Sequence, residues 1–154
     1  RRVSEMTVGT GVHVSFAEEY FNLKTPVSIH VRGFVSGNRI RIVGIPTKKS
    51  EKFHVNLNLA HDTAFHFNPR FHEKCVVRNN TKHGVWQQEE RYADSFPFVH
   101  ETVFTLEFVA IPGHIQIFHN GHLFTQFSNR DDPSHITTLQ VEGDVDVHSI
   151  HISH

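Results

Sequence analysis

The sequence predicts an all-β protein, a sandwich or barrel of roughly ten short strands. Three observations carry that prediction. Apolar residues recur with period two, turn signals separate the runs, and no stretch carries a helical stripe. Val12, Val14 and Phe16 alternate with polar partners, as Val27, Ile29 and Val31 do with Ser28, His30 and Arg32. Ile40 and Ile42 follow the turn signal Ser36-Gly37-Asn38, and Phe53, Val55, Leu57 and Leu59 alternate with His54, Asn56 and Asn58. Phe65, Phe67 and Phe71 share one parity, and Cys75–Asn79 reads as the next strand. Phe104, Leu106 and Phe108 lead to a Pro112-Gly113 turn, with Ile115 and Ile117 beyond it. His119-Asn120-Gly121-His122 is the strongest hairpin signal, because Asn-Gly suits the two positive φ angles of a type I′ turn. Residues 123–127, 136–141 and 145–152 complete the set, the last two joined through Gly143-Asp144. Apolar residues on one parity and polar ones on the other describe antiparallel sheets with a wet face.

The composition agrees. A chain of 154 residues suits one domain and can bury a core. No repeat, low-complexity tract or linker divides it, so we expect a single domain over 1–154, with 1–9 open as a tail or linker. Fourteen Phe against one Trp and two Tyr supply large rings with no polar handle, fit for a dry interlayer. With 15 Lys+Arg and 16 Asp+Glu, the chain lacks the basic excess that nucleic acid or an anionic membrane surface needs. No apolar run reaches the length of a membrane span, so no membrane insertion is expected. The single Cys75 excludes an intramolecular disulfide and favours a reducing compartment. No secretory leader is visible. The chain begins Arg1-Arg2-Val3 rather than with Met, and we expect it to be trimmed from a longer one. None of the 15 His pairs closely with another beside Cys or carboxylate at zinc-site spacing, so neither metal nor cofactor is expected.

The informative stretch is Phe65-His66-Phe67-Asn68-Pro69-Arg70-Phe71. Side chains alternate along a strand, so His66, Asn68 and Arg70 share the face opposite the Phe residues, within about 14 Å. Imidazole, amide and guanidinium together offer donors and acceptors, and a sugar hydroxyl needs both. An ordinary solvated strand face explains this segment alone equally well. Pro69 cannot donate to a ladder, which predicts irregular pairing or an edge there. In the next strand Val77 and Asn79 share a face. A polar turn with Gly84 leads to Trp86, the only Trp, with Glu89 and Arg91 following at period two. A lone Trp is usually core, but Gln87, Gln88, Glu89 and Glu90 are poor company for a buried strand. An exposed indole framed by charges suits the apolar face and polar rim of a pyranose.

In order and spacing, His66, Asn68-Pro69-Arg70, Val77, Asn79, Trp86, Glu89 and Arg91 resemble the carbohydrate-recognition signature of the galectins. The similarity runs on through Phe96-Pro97-Phe98, 104–108, 115–118 with Asn120-Gly121, and Val141, Gly143 and Asp144, nearly the whole chain. The wording Val76-Val77-Arg78-Asn79 and Gly84-Val85-Trp86 looks more like invertebrate members. The resemblance implies a two-sheet antiparallel β-sandwich, the jelly roll shared with legume lectins. It also implies a non-enzymatic, metal-independent lectin for β-galactosides such as lactose or N-acetyllactosamine. By the same resemblance, His66, Asn68 and Arg70 hold the axial 4-hydroxyl of galactose, and Asn79 and Glu89 its 6-hydroxyl. Trp86 stacks beneath the ring, while Arg70, Glu89 and Arg91 reach the next sugar. The implied partners are β-galactoside glycans of glycoproteins or glycolipids, with a homodimer or tandem second domain for avidity.

Two departures bear on preference beyond the core disaccharide. Gln87 stands where Gly is common, and 92–95 is one residue longer than usual. Protonation of His66, with an ordinary pKa near ~6.5, is expected to weaken binding below about pH 6. Asn79-Asn80-Thr81 is a nominal glycosylation sequon, and a glycan on Asn79 conflicts with a ligand role. That conflict favours a cytoplasmic protein, or an extracellular one delivered by a non-classical route. A glycoside hydrolase is the main rival and needs two carboxylates about 5–9.5 Å apart across a cleft. Glu89 and Glu90 are adjacent and point oppositely, and Asp131-Asp132 precede Pro133 in a turn. The other rival is an interaction module that has lost sugar binding; the complete signature argues against it.

Overall fold

The computed structural model describes residues 5–8 and 12–153. In chain order the strands are β1 (Glu5–Val8), β2 (Val12–Ser15), β3 (Glu18–Leu23), β4 (Val27–His30) and β5 (Arg39–Pro46). Then come β6 (Phe53–Asn58), β7 (Thr63–Arg70), β8 (Cys75–Asn79), β9 (Thr81–Lys82) and β10 (Val85–Trp86). The remainder are β11 (Phe104–Ile111), β12 (His114–His119), β13 (His122–Ser128), β14 (Thr138–Gly143) and β15 (Val145–Ile152). A short 3-10 turn, Pro133–His135, precedes β14. Of the stretch 1–9 expected as a tail or linker, Glu5–Val8 pair with β2, and the rest lies outside the described residues.

Two antiparallel sheets face each other, as predicted. One has six strands in the order β13-β12-β11-β5-β15-β3, the other five in the order β4-β14-β6-β7-β8. The Phe residues join them. Phe53 stacks on Phe104 with ring centroids 5.6 Å apart, and Phe65 meets Phe108 at 5.3 Å and Phe127 at 4.8 Å. Phe67 also reaches Phe108, at 5.5 Å. All six rings are buried in one continuous apolar core. Burying such a side chain contributes about 1.5–3 kcal/mol.

Phe53, Val55 and Leu57 of β6 and Phe65 and Phe67 of β7 fill this core, so the alternate residues His54, Asn56, His66 and Asn68 lie on the opposite face of the five-stranded sheet. The register places Asn56, His66 and Asn79 in one cross-strand row, with Asn68 opposite Val77 in the next. Pro69 pairs in register with Val76, while pairing to β6 lapses between Phe67 and an isolated bridge at Arg70. At that lapse the Asn68 side-chain amide donates to the Phe53 carbonyl at 2.8 Å. The irregularity predicted from Pro69 is present.

Turn chemistry behaves as expected. Asn120 and Gly121 have φ of 49° and 84°, the positive pair that a type I′ hairpin demands. Gly143 has φ of 106°, and a Cβ there would lie 2.7 Å from the Phe53 Cα, so only glycine closes the β14–β15 connection.

Candidate functional site

The polar face of the five-stranded sheet carries a cleft of about 520 Å³. Seven of the eight residues singled out in the sequence line it: His66, Asn68, Arg70, Val77, Asn79, Trp86 and Glu89. Arg91 lies outside the lining and is bonded to Glu89, its Nε donating to Oε1 at 2.9 Å. Lys52, His54 and Gln87 line the cleft as well.

Side-chain hydrogen bonds give His66 a direction. The Glu142 carboxylate accepts from Gln140 Nε2 at 3.3 Å. Gln140 Oε1 accepts from Asn56 Nδ2, also at 3.3 Å, which turns Asn56 Oδ1 toward the imidazole. His66 Nδ1 lies 2.6 Å from that oxygen and must therefore be the protonated nitrogen. Nε2 is left as an acceptor, able to receive a hydroxyl proton. Burial, chiefly, and then the neighbouring positive potential of His54, push the His66 pKa down to about 4. This corrects the expectation of protonation near pH 6: a half-buried imidazole resists charging.

Beside it, Asn68 is buried, and its Oδ1 accepts from Arg70 Nε at 2.8 Å. The guanidinium of Arg70 also reaches Glu73 at 3.0 Å and Glu89 at 3.9 Å. Arg91 closes a ring of alternating charge, bonding Glu73 and Glu89 at 2.9 Å each. These exposed pairs add little to stability, but they restrict where two guanidiniums can point. Arg91 first, then Arg70, hold the Glu73 carboxyl below the usual carboxylate range.

Trp86 is 52% exposed and its indole lies 4.6 Å from the His66 ring, tilted by 53°. It comes from the β9–β10 hairpin and lines the cleft. Asp62, in the β6–β7 connection, holds that hairpin. Its carboxylate accepts from Thr81 Oγ1 and Gly84 N at 2.8 Å each, and from His83 N at 3.1 Å. Beyond Trp86 the chain leaves regular pairing, so Glu89 reaches the cleft through an irregular stretch rather than along a strand. Glu90 returns to pair with Arg78.

Asn79 is fixed from behind. Its Nδ2 donates to the Gln87 carbonyl at 3.0 Å, and its Oδ1 accepts from Asn80 N at 2.8 Å and Arg130 Nη1 at 3.2 Å. Arg130 also bonds Glu90 at 2.7 Å and lies over the Phe127 ring. Asn79 is 2% exposed, so a glycan at this sequon is incompatible with the fold.

Sequence reasoning missed Lys52, His54, Asn56, Glu73, Asp62 and Arg130. His54 and Asn56 had a usable signal, since they are the polar members of an alternating run that abuts β7. Glu73 and Arg130 sit in connections, where no periodicity marks a direction.

Comparison with known proteins agrees with this geometry. The sequence model of the family described as galactoside-binding lectin matches residues 25–152. A 32 kDa β-galactoside-binding lectin of Haemonchus contortus is 37% identical over 91% of this chain, and one of Caenorhabditis elegans is 35% identical over 91%. The chain spans about half the length of these two relatives, 49% and 50%. The crystal structure of Caenorhabditis elegans galectin LEC-6 superposes with a TM-score of 0.85 at 45% identity, covering 92% of this chain and 99% of that one. With the sandwich, the polar cleft and these similarities in place, the chain belongs to the galactoside-binding lectins, the galectin family.

Proposed function

We propose that the cleft binds a terminal β-galactoside of the lactose or N-acetyllactosamine type. The observation that carries this reading is the directed chain Glu142–Gln140–Asn56–His66. It presents one acceptor nitrogen beside the guanidinium donors of Arg70, which Asn68 Oδ1 holds in place, next to an exposed indole. A hydroxyl aimed into that corner donates to Nε2 and accepts from the guanidinium. The apolar face of the same ring lies against Trp86. Turning that hydroxyl equatorial, as in glucose, leaves partly buried groups unpaired at about 1–3 kcal/mol each. Relatives named as β-galactoside-binding lectins support the assignment.

Binding without catalysis is part of the proposal. Hydrolysis needs a protonated acid and a second carboxylate across the bond. Here Glu89 and Glu73 are both tied to guanidiniums, and Glu90 is drawn away to Arg130. A disaccharide of roughly 23 heavy atoms at about 0.3 kcal/mol per atom gains about 7 kcal/mol, a Kd on the order of 10 μM. Avidity for glycans of glycoproteins or glycolipids then comes from a second copy or a linked domain. The buried Asn79 of the sequon favours a protein that stays cytoplasmic or leaves by a non-classical route.

Retention on immobilised lactose tests the reading. The chain should be held and released by free lactose, with cellobiose ineffective. His66→Ala and Trp86→Ala should flow through while keeping their unfolding transitions. Equal elution by cellobiose, or retention of either folded variant, overturns the assignment.

A further inference from the structure

β8 is the edge strand of the five-stranded sheet, and its side chains alternate as the pleat requires. Val77 and Asn79 line the cleft, so Val76 and Arg78 turn to the opposite side, where Val76 joins the apolar core. Arg78 therefore carries a guanidinium on the core side of a strand, and it is 3% exposed. Its side-chain partners are two main-chain carbonyls: Nη1 donates to the Val76 oxygen at 2.8 Å and Nη2 to the Tyr92 oxygen at 2.7 Å. Nε is buried with no hydrogen-bond partner among the described residues. A buried charge held in this way is no gain over an apolar side chain of similar volume. Stability alone does not require it.

What the guanidinium reaches is the stretch that follows Trp86. That stretch is fastened to β8 at intervals. Gln87 N donates to the Asn80 carbonyl at 3.0 Å, and Glu90 and Arg78 exchange main-chain bonds at 2.8 and 2.9 Å. The Arg78 side chain then holds the Tyr92 carbonyl. One residue thus grips Arg91 from both sides, by its backbone through Glu90 and by its guanidinium through Tyr92. Cys75 Sγ reaches the Arg91 carbonyl only at 3.6 Å, and the Tyr92 side chain is 82% exposed. Glu89 precedes the Glu90 attachment and keeps its place without the guanidinium.

Arg91 lies just past the cleft lining, bonded to Glu73 and Glu89. A galactose seated against His66 and Trp86 leaves its attached sugar on that side of Glu89. We propose that Arg78 is a positioning residue for this second sugar, fixing the main chain on either side of Arg91 and so aiming the Arg91 guanidinium beyond the galactose. The inference rests on the galactoside reading of the cleft.

Titration calorimetry tests it by comparing lactose with methyl β-galactoside, which lacks the second sugar. The unaltered chain should prefer lactose, and Arg91→Ala should remove most of that preference. Arg78→Met should cut the preference about five-fold or more, through weaker lactose binding. Arg78→Lys offers a single ammonium that cannot span both carbonyls, so it should cut the preference too. It decides the matter should the methionine variant fail to fold. Combining Arg78→Met with Arg91→Ala should cost no more than Arg91→Ala alone, since one residue acts through the other. No lactose binding by the unaltered chain would refute the galactoside reading itself. Full preference in a folded Arg78 variant or in Arg91→Ala, equal weakening of both sugars, or additive losses in the double variant would overturn the positioning role.

Discussion

Arg70 meets Asn68, Glu73 and Glu89 with three different nitrogens, so its planar fork is held at one angle over the cleft. A lysine offers a single ammonium and cannot replace that fork, because it would have to abandon two partners to serve a ligand. His66 depends on its surroundings in another way. Its acceptor nitrogen works only while the ring is neutral, and burial keeps it neutral down to about pH 4. Lactose affinity should accordingly stay level from pH 7.5 to 5.5 and fall only as the pH approaches 4. Trp86, the only Trp, reports this by its own fluorescence. A midpoint near pH 6 would show that the imidazole is not shielded as described.

The β9–β10 hairpin is too short to hold itself. Two residues a side supply few ladder bonds, and isolated hairpins are marginal in water. The Asp62 carboxylate supplies the missing anchorage by accepting from three groups of the hairpin. Asp62→Ala should lower lactose affinity about ten-fold by letting the indole wander. Its unfolding midpoint should drop by only a few degrees. Unchanged affinity in that variant would mean that the hairpin is held elsewhere. Other elements show why patterns mislead. In β3, Glu19 is buried because His151 Nδ1 bonds it at 2.9 Å, so the strand reads as polar although part of it is enclosed. In β15 a register shift between Val147 and Ser149 moves the core residues from odd to even positions, from Val147 to Ile150.

At the scale of the whole molecule, among the described residues, burial depresses the pKa of four histidines: His54, His66, His119 and His151. As the pH falls through about 6.5 the unfolded chain takes up protons at these sites more readily than the folded chain, so stability falls as the pH falls. For His66 alone the loss between pH 7 and pH 5 is on the order of 1–2 kcal/mol. Urea unfolding at pH 7, 6 and 5 should show a declining midpoint with an unchanged slope. Stability that is constant or rises on acidification would contradict the burial of these rings.

The sandwich and most of its strands were legible in the sequence, because a pleated strand writes its two environments onto alternate residues. The same parity put His66, Asn68 and Arg70 on one face opposite Phe65 and Phe67, and the neighbours of Trp86 marked it as exposed. Tertiary structure alone decided how those residues are held. Glu142 sets the direction of the His66 proton from two strands away. Asp62 props the indole, Glu73 ties two guanidiniums together, and Arg130 fixes Asn79 across 51 residues of chain. Such contacts join elements distant in sequence and leave no period behind, since hydrogen-bond partners are selected by distance in space.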